Sequence, residues 1–249
     1  MNTISPAVSR TASPSAYHKA RYNLALALMD IGAVLTKDSV HPLVVERKGL
    51  KGMERGFKLK LHEKNPDAAL SPFYLNLRTA DNKSGPLTKE IVEHSASCMQ
   101  MLIERSGLTF DGVAGVPRAG NPFAEVLSRF TGRPLIVMDK YEHGGKRQIA
   151  SLVGKVPPSI KKALGVDDLI TRADSKIEAR EILEHEGIKV NDFIVLVDRE
   201  QGGYDQLMKR GCCSHAVFTI SELLDFYVDA GKMSDRLHVD IRTYLAAAA

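Results

Sequence analysis

The segment Asp192–Val197 (DFIVLV) constrains the fold of this chain more than any other. Five apolar residues in a row, most of them β-branched or aromatic, read as a strand buried on both faces. Shorter runs of the same kind lie at Gly112–Val116, which ends in Pro117, at Pro134–Met138 (PLIVM), at Ala163–Val166 and at His215–Thr219. Segments of helical period separate them. Thr88–Ser106 places Ile91, Met99, Leu102 and Ile103 on one face; Asn121–Phe130 has Pro122 in its first turn; Ser175–Glu186 stops at Gly187; and Ser221–Ala230 is opened by Ser221 and Glu222. Alternation of continuous apolar strands with helices predicts an α/β fold with a mostly parallel central sheet flanked by helices. In such sheets ligands sit beyond the carboxyl ends of the strands, so the loops after Val116, Met138, Val166 and Val197 are where chemistry is expected.

Residues 1–16 are rich in Ser, Pro, Thr and Ala, a flexible leader without the apolar stretch of a secretory signal, although its missing acids leave a transit peptide open. Residues 17–249 form the domain, with a small N-terminal hood drawn mainly from 17–80. Within the hood, Tyr17–Val34 has helical spacing ended near Gly32, Leu43–Val45 and Phe73–Leu77 have strand character, and polar, glycine-bearing stretches fill the remainder.

At 249 residues, 44% hydrophobic and 26% charged, the chain has an ordinary globular composition. It holds no unbroken apolar run long enough to span a membrane. Net charge is +4, but it is spread along the chain, with 6% aromatics and no Trp. That argues against a nucleic-acid stripe and suits a phosphate-bearing small substrate. Cys98, Cys212 and Cys213 carry no metal-ligand spacing and fit free thiols in a reducing, cytoplasmic compartment.

Four loops carry the unusual residues. Gly115–Gly120 (GVPRAG) is a tight turn bearing Arg118, where small residues let backbone approach an anion. Lys140–Arg147 (KYEHGGKR) reads as a mobile cationic loop able to close over a pyrophosphate. Val166–Lys176 (VDDLITRADSK) sets two acids at a strand end, suited to vicinal ribose hydroxyls, ahead of a helix N-terminus that offers N–H groups to a phosphate. Val197–Gly203 (VDREQGG) places Asp198, Arg199 and Glu200 at the end of the most apolar strand, where a guanidinium either pairs with an acid or grips a substrate carboxylate.

From about Leu24 to Leu245 these elements resemble orotate phosphoribosyltransferase, a type I phosphoribosyltransferase. The resemblance is densest in DFIVLVDREQGG (Asp192–Gly203) and HAVFTISELL (His215–Leu224), which look like the transferase part of UMP synthases. Phe57–Lys60, Ser71–Arg78 (SPFYLNLR) and Phe110–Gly120 (FDGVAGVPRAG) resemble the family's F-x-L-K, S-P-x-Y-x-x-L-R and pyrophosphate-loop elements. The resemblance implies a glycosyltransferase of pyrimidine (UMP) biosynthesis. It would move the 5-phosphoribosyl group of PRPP to orotate, with Mg²⁺ bound mainly through the pyrophosphate and no protein metal ligand assigned. It further implies a homodimer with no nucleic-acid or membrane partner. By the same resemblance, Asp167 and Asp168 hold the ribose hydroxyls, and Thr171, Arg172, Ala173, Asp174 and Ser175 cradle the 5-phosphate with Arg118 nearby. Lys60, Phe73, Tyr74 and Arg199 frame orotate, while His143, Lys140, Lys146 and Arg147 belong to the catalytic loop.

Two departures stand out. The family's phosphate turn, T-T-G or T-S-G, is replaced by Thr171-Arg172-Ala173-Asp174-Ser175. A lost glycine strains such a turn if its φ is positive. Asp174 places a carboxylate near a phosphate, a repulsion of several kcal/mol at ~4 Å and an effective dielectric of ~20. In the catalytic loop the family's basic positions fall on Val137, Met138 and Tyr141. These departures raise an alternative: an impaired member of the fold that binds pyrimidines or nucleotides as a sensor.

Overall fold

The structure is a computed structural model describing residues 14–49, 52–63, 65–81, 85–143 and 146–248. Residues 1–13 of the expected leader lie outside the described residues, and 14–16 form the first turn of helix α1 (Pro14–Asp30). Its Leu24, Ala25 and Leu28 are fully buried, and the helix ends before Gly32, whose φ of +74° suits glycine.

Strand β1 (Val34–Thr36) leads to a hairpin of β2 (Val44–Gly49) and β3 (Gly52–Phe57), then a single 3₁₀ turn, Lys60–Glu63. Strand β4 (Phe73–Leu75) returns antiparallel to β1, with Leu35 opposite Tyr74. Only a fragment of the β2–β3 hairpin shows as strand in the apolar pattern. Cross-strand charge holds it instead: Glu46 stands opposite Arg55 and Arg47 opposite Glu54, with ion pairs of 3.4 and 3.1 Å.

Helix α2 (Lys89–Arg105) is capped by Thr88 and ends at Ser106, the limits its periodicity predicts. Then follow β5 (Gly112–Gly115), α3 (Asn121–Thr131), β6 (Leu135–His143), β7 (Lys146–Val153), β8 (Lys162–Ile170), α4 (Asp174–His185), β9 (Lys189–Asp198), α5 (Gly203–Met208), β10 (Cys213–Thr219), α6 (Ile220–Asp229) and α7 (Asp235–Ala248). The six strands lie in the order β10-β9-β8-β5-β6-β7, parallel throughout except for the antiparallel β6–β7 pair.

Both faces of the sheet are covered. Val113, Leu164, Val166, Ile194 and Leu196 enter one core with α1, α2, α3, α6 and α7; Ala114, Ala163, Phe193 and Val195 enter the other, with α4. Neighbouring residues face opposite cores, the period-2 arrangement of a doubly covered strand.

The structure corrects three expectations. The strand expected to stop at Val166 runs on to Ile170, because β9 keeps pairing with it through Asp167↔Val195, Leu169↔Val197 and Ile170↔Asp198. The acid pair is therefore inside a strand, not in a loop after one. Secondly, the described residues of the cationic segment Lys140–Arg147 form two sides of a β-arm rather than a loop, with Lys140 opposite Ile149, Glu142 opposite Arg147 and His143 opposite Lys146. Gly144-Gly145, read as a source of mobility, is also a hairpin signal between strand-forming residues; these two glycines lie outside the described residues. Thirdly, Thr219 rather than Ser221 caps α6, in a capping box with Glu222.

Candidate functional site

The strand order reverses at β5. From it the chain moves outward to β6, then returns to set β8 on β5's other side. A crevice opens at such a switch point, beyond the carboxyl ends of the two strands. The Val116–Gly120 turn closes one wall of it. The Val116 N–H donates to Val166 O at 2.8 Å, and a Cβ on Gly120 would fall on that same carbonyl oxygen. Glycine is thus required there by close approach. The Pro117–Arg118 peptide is cis, and Arg118, exposed, reaches the carbonyl of Lys140 in the β-arm at 3.5 Å.

The opposite wall is the end of β8. Asp167 and Asp168 are consecutive in a strand and so leave it in different directions. Asp167 points to the α4 side. It is 5% exposed, and its carboxylate is clamped by the ammonium of Lys176, itself 2% exposed. Lys176 Nζ also donates to Leu169 O, and the second Asp167 oxygen accepts the Asp168 N–H at 2.9 Å. Asp168 is half-buried, with Arg78 near enough to act on it electrostatically. Burial first, and then the charge of Asp167, hold its carboxyl well above the usual carboxylate range.

Helix α4 starts from the Thr171–Ser175 turn. Ala173, at the N-cap position, makes no side-chain cap and has φ +15°; Asp174, exposed, is in the first turn. Ala173 stands at the place of the family's glycine, and its φ is just above zero, short of the left-handed region. Arg172 is exposed, while Thr171 and Ser175 are half-buried.

Beside it, the β9 end carries Asp198 and Arg199. Burial raises the Asp198 carboxyl, whose Oδ1 accepts the Glu200 N–H at 2.8 Å. Arg199 is tied to β8 by its N–H, which donates to Ile170 O at 3.0 Å. Its guanidinium lies 5.1 Å from the centre of the Phe73 ring, a cation–π distance. Its Nε is buried without a hydrogen-bond partner, and burial lowers its pKa from the ordinary arginine value. Phe73 has no exposed surface and carries Tyr244 of α7 edge-on at 6.3 Å. Tyr74, half-buried, stacks on Phe57 at 5.6 Å.

The strand ends thus bring together Asp167, Asp168, the Thr171–Ser175 turn, Arg118 and Arg199, with Phe73 behind Arg199. Lys60 opens the 3₁₀ turn after β3, and His143, Lys146 and Arg147 lie on the β-arm, but the side chains of these four are outside the described residues. Sequence reading gave no role to Lys176, Arg78 or Tyr244. For Lys176 a signal existed: it shares its helix face with Ala179 and Leu183, at the i, i+3, i+7 spacing of a buried stripe.

No protein-family model matches the chain. Over 179 residues it is 31% identical to the orotate phosphoribosyltransferase of Sulfurisphaera tokodaii, a match spanning 71% of this chain and 85% of that protein. The chain belongs to the orotate phosphoribosyltransferase family. It is also 35% identical over 156 residues to the uridine 5'-monophosphate synthase of Bos taurus, covering 62% of this chain but only 31% of the bovine protein. The UMP synthase of Leishmania donovani superimposes with a TM-score of 0.66 at 25% identity, over 96% of this chain and 48% of that one. This chain therefore spans a third to a half of those two synthases, and it shares with the family the type I phosphoribosyltransferase fold that its strand order displays. Among the described residues no helix is long and apolar enough to cross a membrane.

Proposed function

We propose that this protein is an orotate phosphoribosyltransferase, joining the 5-phosphoribosyl group of PRPP to N1 of orotate and releasing pyrophosphate. The observation that carries this reading is the meeting of Asp168, the α4 turn and Arg199 at adjacent strand ends, fastened by the Arg199–Ile170 hydrogen bond, in a chain of this family. In this reading Asp168 accepts the ribose hydroxyls. The α4 N-terminus, with Thr171 and Ser175, receives the 5-phosphate, and Arg118 meets the pyrophosphate. Arg199 is oriented by Phe73 but unpartnered at Nε, so it offers a charge-assisted bond to the orotate carboxylate. Tyr74 and Lys60 complete that end.

Bond breaking at the ribose builds positive charge on the sugar ring and negative charge on the departing pyrophosphate. The residues named act by positioning both and by stabilising the charge as it develops. Mg²⁺ enters as part of the substrate. In this reading the ion is held mainly by phosphate oxygens and water.

The β-arm is the natural carrier of the catalytic-loop residues His143, Lys140, Lys146 and Arg147. We place its action within a homodimer in the cytoplasm. Exposed Val137 and Val153, opposite each other at the base of the arm, are the apolar surface such a contact would cover. The relatives carry the names orotate phosphoribosyltransferase and UMP synthase and lend the sensor alternative no support.

Calorimetric titration with PRPP and Mg²⁺, then with orotate, tests the reading. Saturable binding of both is expected; binding of orotate with no response to PRPP would reject it.

A further inference from the structure

A lysine placed where Lys176 stands is expensive. It is in the first turn of α4, where the helix dipole repels a cation, and it is almost wholly removed from water. Its helix face is otherwise filled by Ala179 and Leu183, so an apolar side chain would pack there at no electrostatic cost. What the ammonium does touch is specific: the inner carboxylate of the acid pair and the carbonyl of Leu169, the residue after that pair. One side chain thus bonds on both sides of Asp168.

We propose that Lys176 is a positioning residue of the PRPP site, holding Asp167 turned under the sheet so that Asp168 alone is presented to the ribose hydroxyls. This deepens the transferase reading above and rests on it. The division of labour follows from the strand. Asp167 on the α4 side is fully engaged, with one oxygen on Lys176 and the other on the Asp168 N–H. Asp168 is half-buried, with the charges of Asp167, Lys176 and Arg78 around it and a side-chain hydrogen bond to Asp167, and no lysine clamps it.

Those charges set the pH response. Asp168 feels burial and Asp167, which favour its protonated form, and Lys176 and Arg78, which favour the carboxylate. Beyond Lys176 stands Asp198 at the end of β9, with Glu200 and Asp205 of α5 near it. Removing Lys176 alone leaves Asp167 without its counter-ion, so the pair keeps a proton to higher pH. Removing Lys176 and the Asp167 charge together does the reverse, because for Asp168 the Asp167 charge outweighs that of Lys176.

The test is the pH profile of Mg²⁺–PRPP affinity for the full-length protein, for Lys176→Met and for Lys176→Met combined with Asp167→Asn. The double variant carries the test should the single one fail to fold, since it leaves no unpaired buried charge. For Lys176→Met we expect affinity at pH 7 to fall about tenfold and the acid limb of the profile to move up by about half a pH unit or more. In the double variant the limb moves down. Profiles that coincide in shape, whatever their overall affinity, would overturn the proposal and leave Lys176 a purely structural ion-pair partner. Carboxyl-carbon NMR titration of the same proteins separates the two levels. If the unaltered protein binds no PRPP at any pH, the transferase reading falls. Lys176's hold on the acid pair is then still judged by whether the Asp168 carboxyl titrates in opposite directions in the two variants, and an unmoved titration refutes it.

Discussion

At the end of β8 a buried carboxylate, Asp167, meets its counter-ion within the chain, whereas at the end of β9 the guanidinium of Arg199 lies over an aromatic ring with its buried Nε unpartnered. The two sit side by side, joined by the Arg199–Ile170 hydrogen bond, and both take charge out of water. Their difference separates scaffolding from binding. A buried charge satisfied by its own chain has no capacity left for a ligand, while one with an idle, buried Nε has kept it. The crevice is pre-satisfied at one charge and left open at the next.

The strongest way to break this contrast is to remove one member of the satisfied pair. Asp167→Ala leaves the Lys176 ammonium buried without its counter-ion, and should cost about 3–5 kcal/mol in urea denaturation. A loss below about 1 kcal/mol would mean that water already reaches the ammonium.

Arg199→Leu should behave oppositely. Stability should change by no more than about 1 kcal/mol, since the buried Nε has no hydrogen bond to lose, while orotate affinity by calorimetry falls about a hundredfold. Retained orotate binding would remove Arg199 from the site.

The frame that carries this contrast was legible in the sequence, though the contrast itself was not. The strands around DFIVLV, the helix bounded by Thr88 and Ser106, and the chemistry at the strand ends follow from periodicity and from the rule that open parallel sheets bind ligands at their carboxyl edge. Elements held by charge rather than by apolar pattern were hidden. The β2–β3 hairpin depends on Glu46–Arg55 and Arg47–Glu54, and the last four residues of β8 contain two acids that no hydrophobic run would include. Helix α7 was hidden for a different reason. Its closing alanines carry no apolar pattern although alanine is the best helix former, and Lys37 ties it to the hood through Asp240 at 2.6 Å. In the site, residue types were readable but their partners were not, because Asp167–Lys176 is a contact across the strand–helix turn.

A subtler way to sharpen the comparison uses pH. The Asp168 carboxyl is raised in the folded protein, so the native state holds a proton there that the unfolded chain releases at ordinary carboxylate pH. Its contribution to stability is present below that range and is lost as pH rises through the raised folded value. Asp168→Asn, which cannot ionise, should therefore melt higher than the unaltered protein at pH 8, with the difference vanishing near pH 4 in thermal scans. Equal melting at both pH values would mean that Asp168 titrates as an ordinary surface acid.

The smallest effect is expected at Asp174, exposed in the first turn of α4. Asp174→Asn should lower stability by about 0.5 kcal/mol through the lost interaction with the helix dipole. It should nevertheless tighten PRPP binding severalfold by removing a carboxylate from beside the phosphate. Weaker binding would show that this turn receives its anion differently.

The most direct measurement is turnover: the loss of orotate absorbance on mixing the protein with orotate, PRPP and Mg²⁺, run beside Asp168→Asn. The predicted result is steady turnover by the unaltered protein and kcat/KM lower by about tenfold or more in the variant, a change of about 1.4 kcal/mol, with folding intact. Equal turnover by the two proteins, or none by the unaltered one under conditions where it binds both substrates, would contradict the assignment of this crevice as a phosphoribosyl-transfer site.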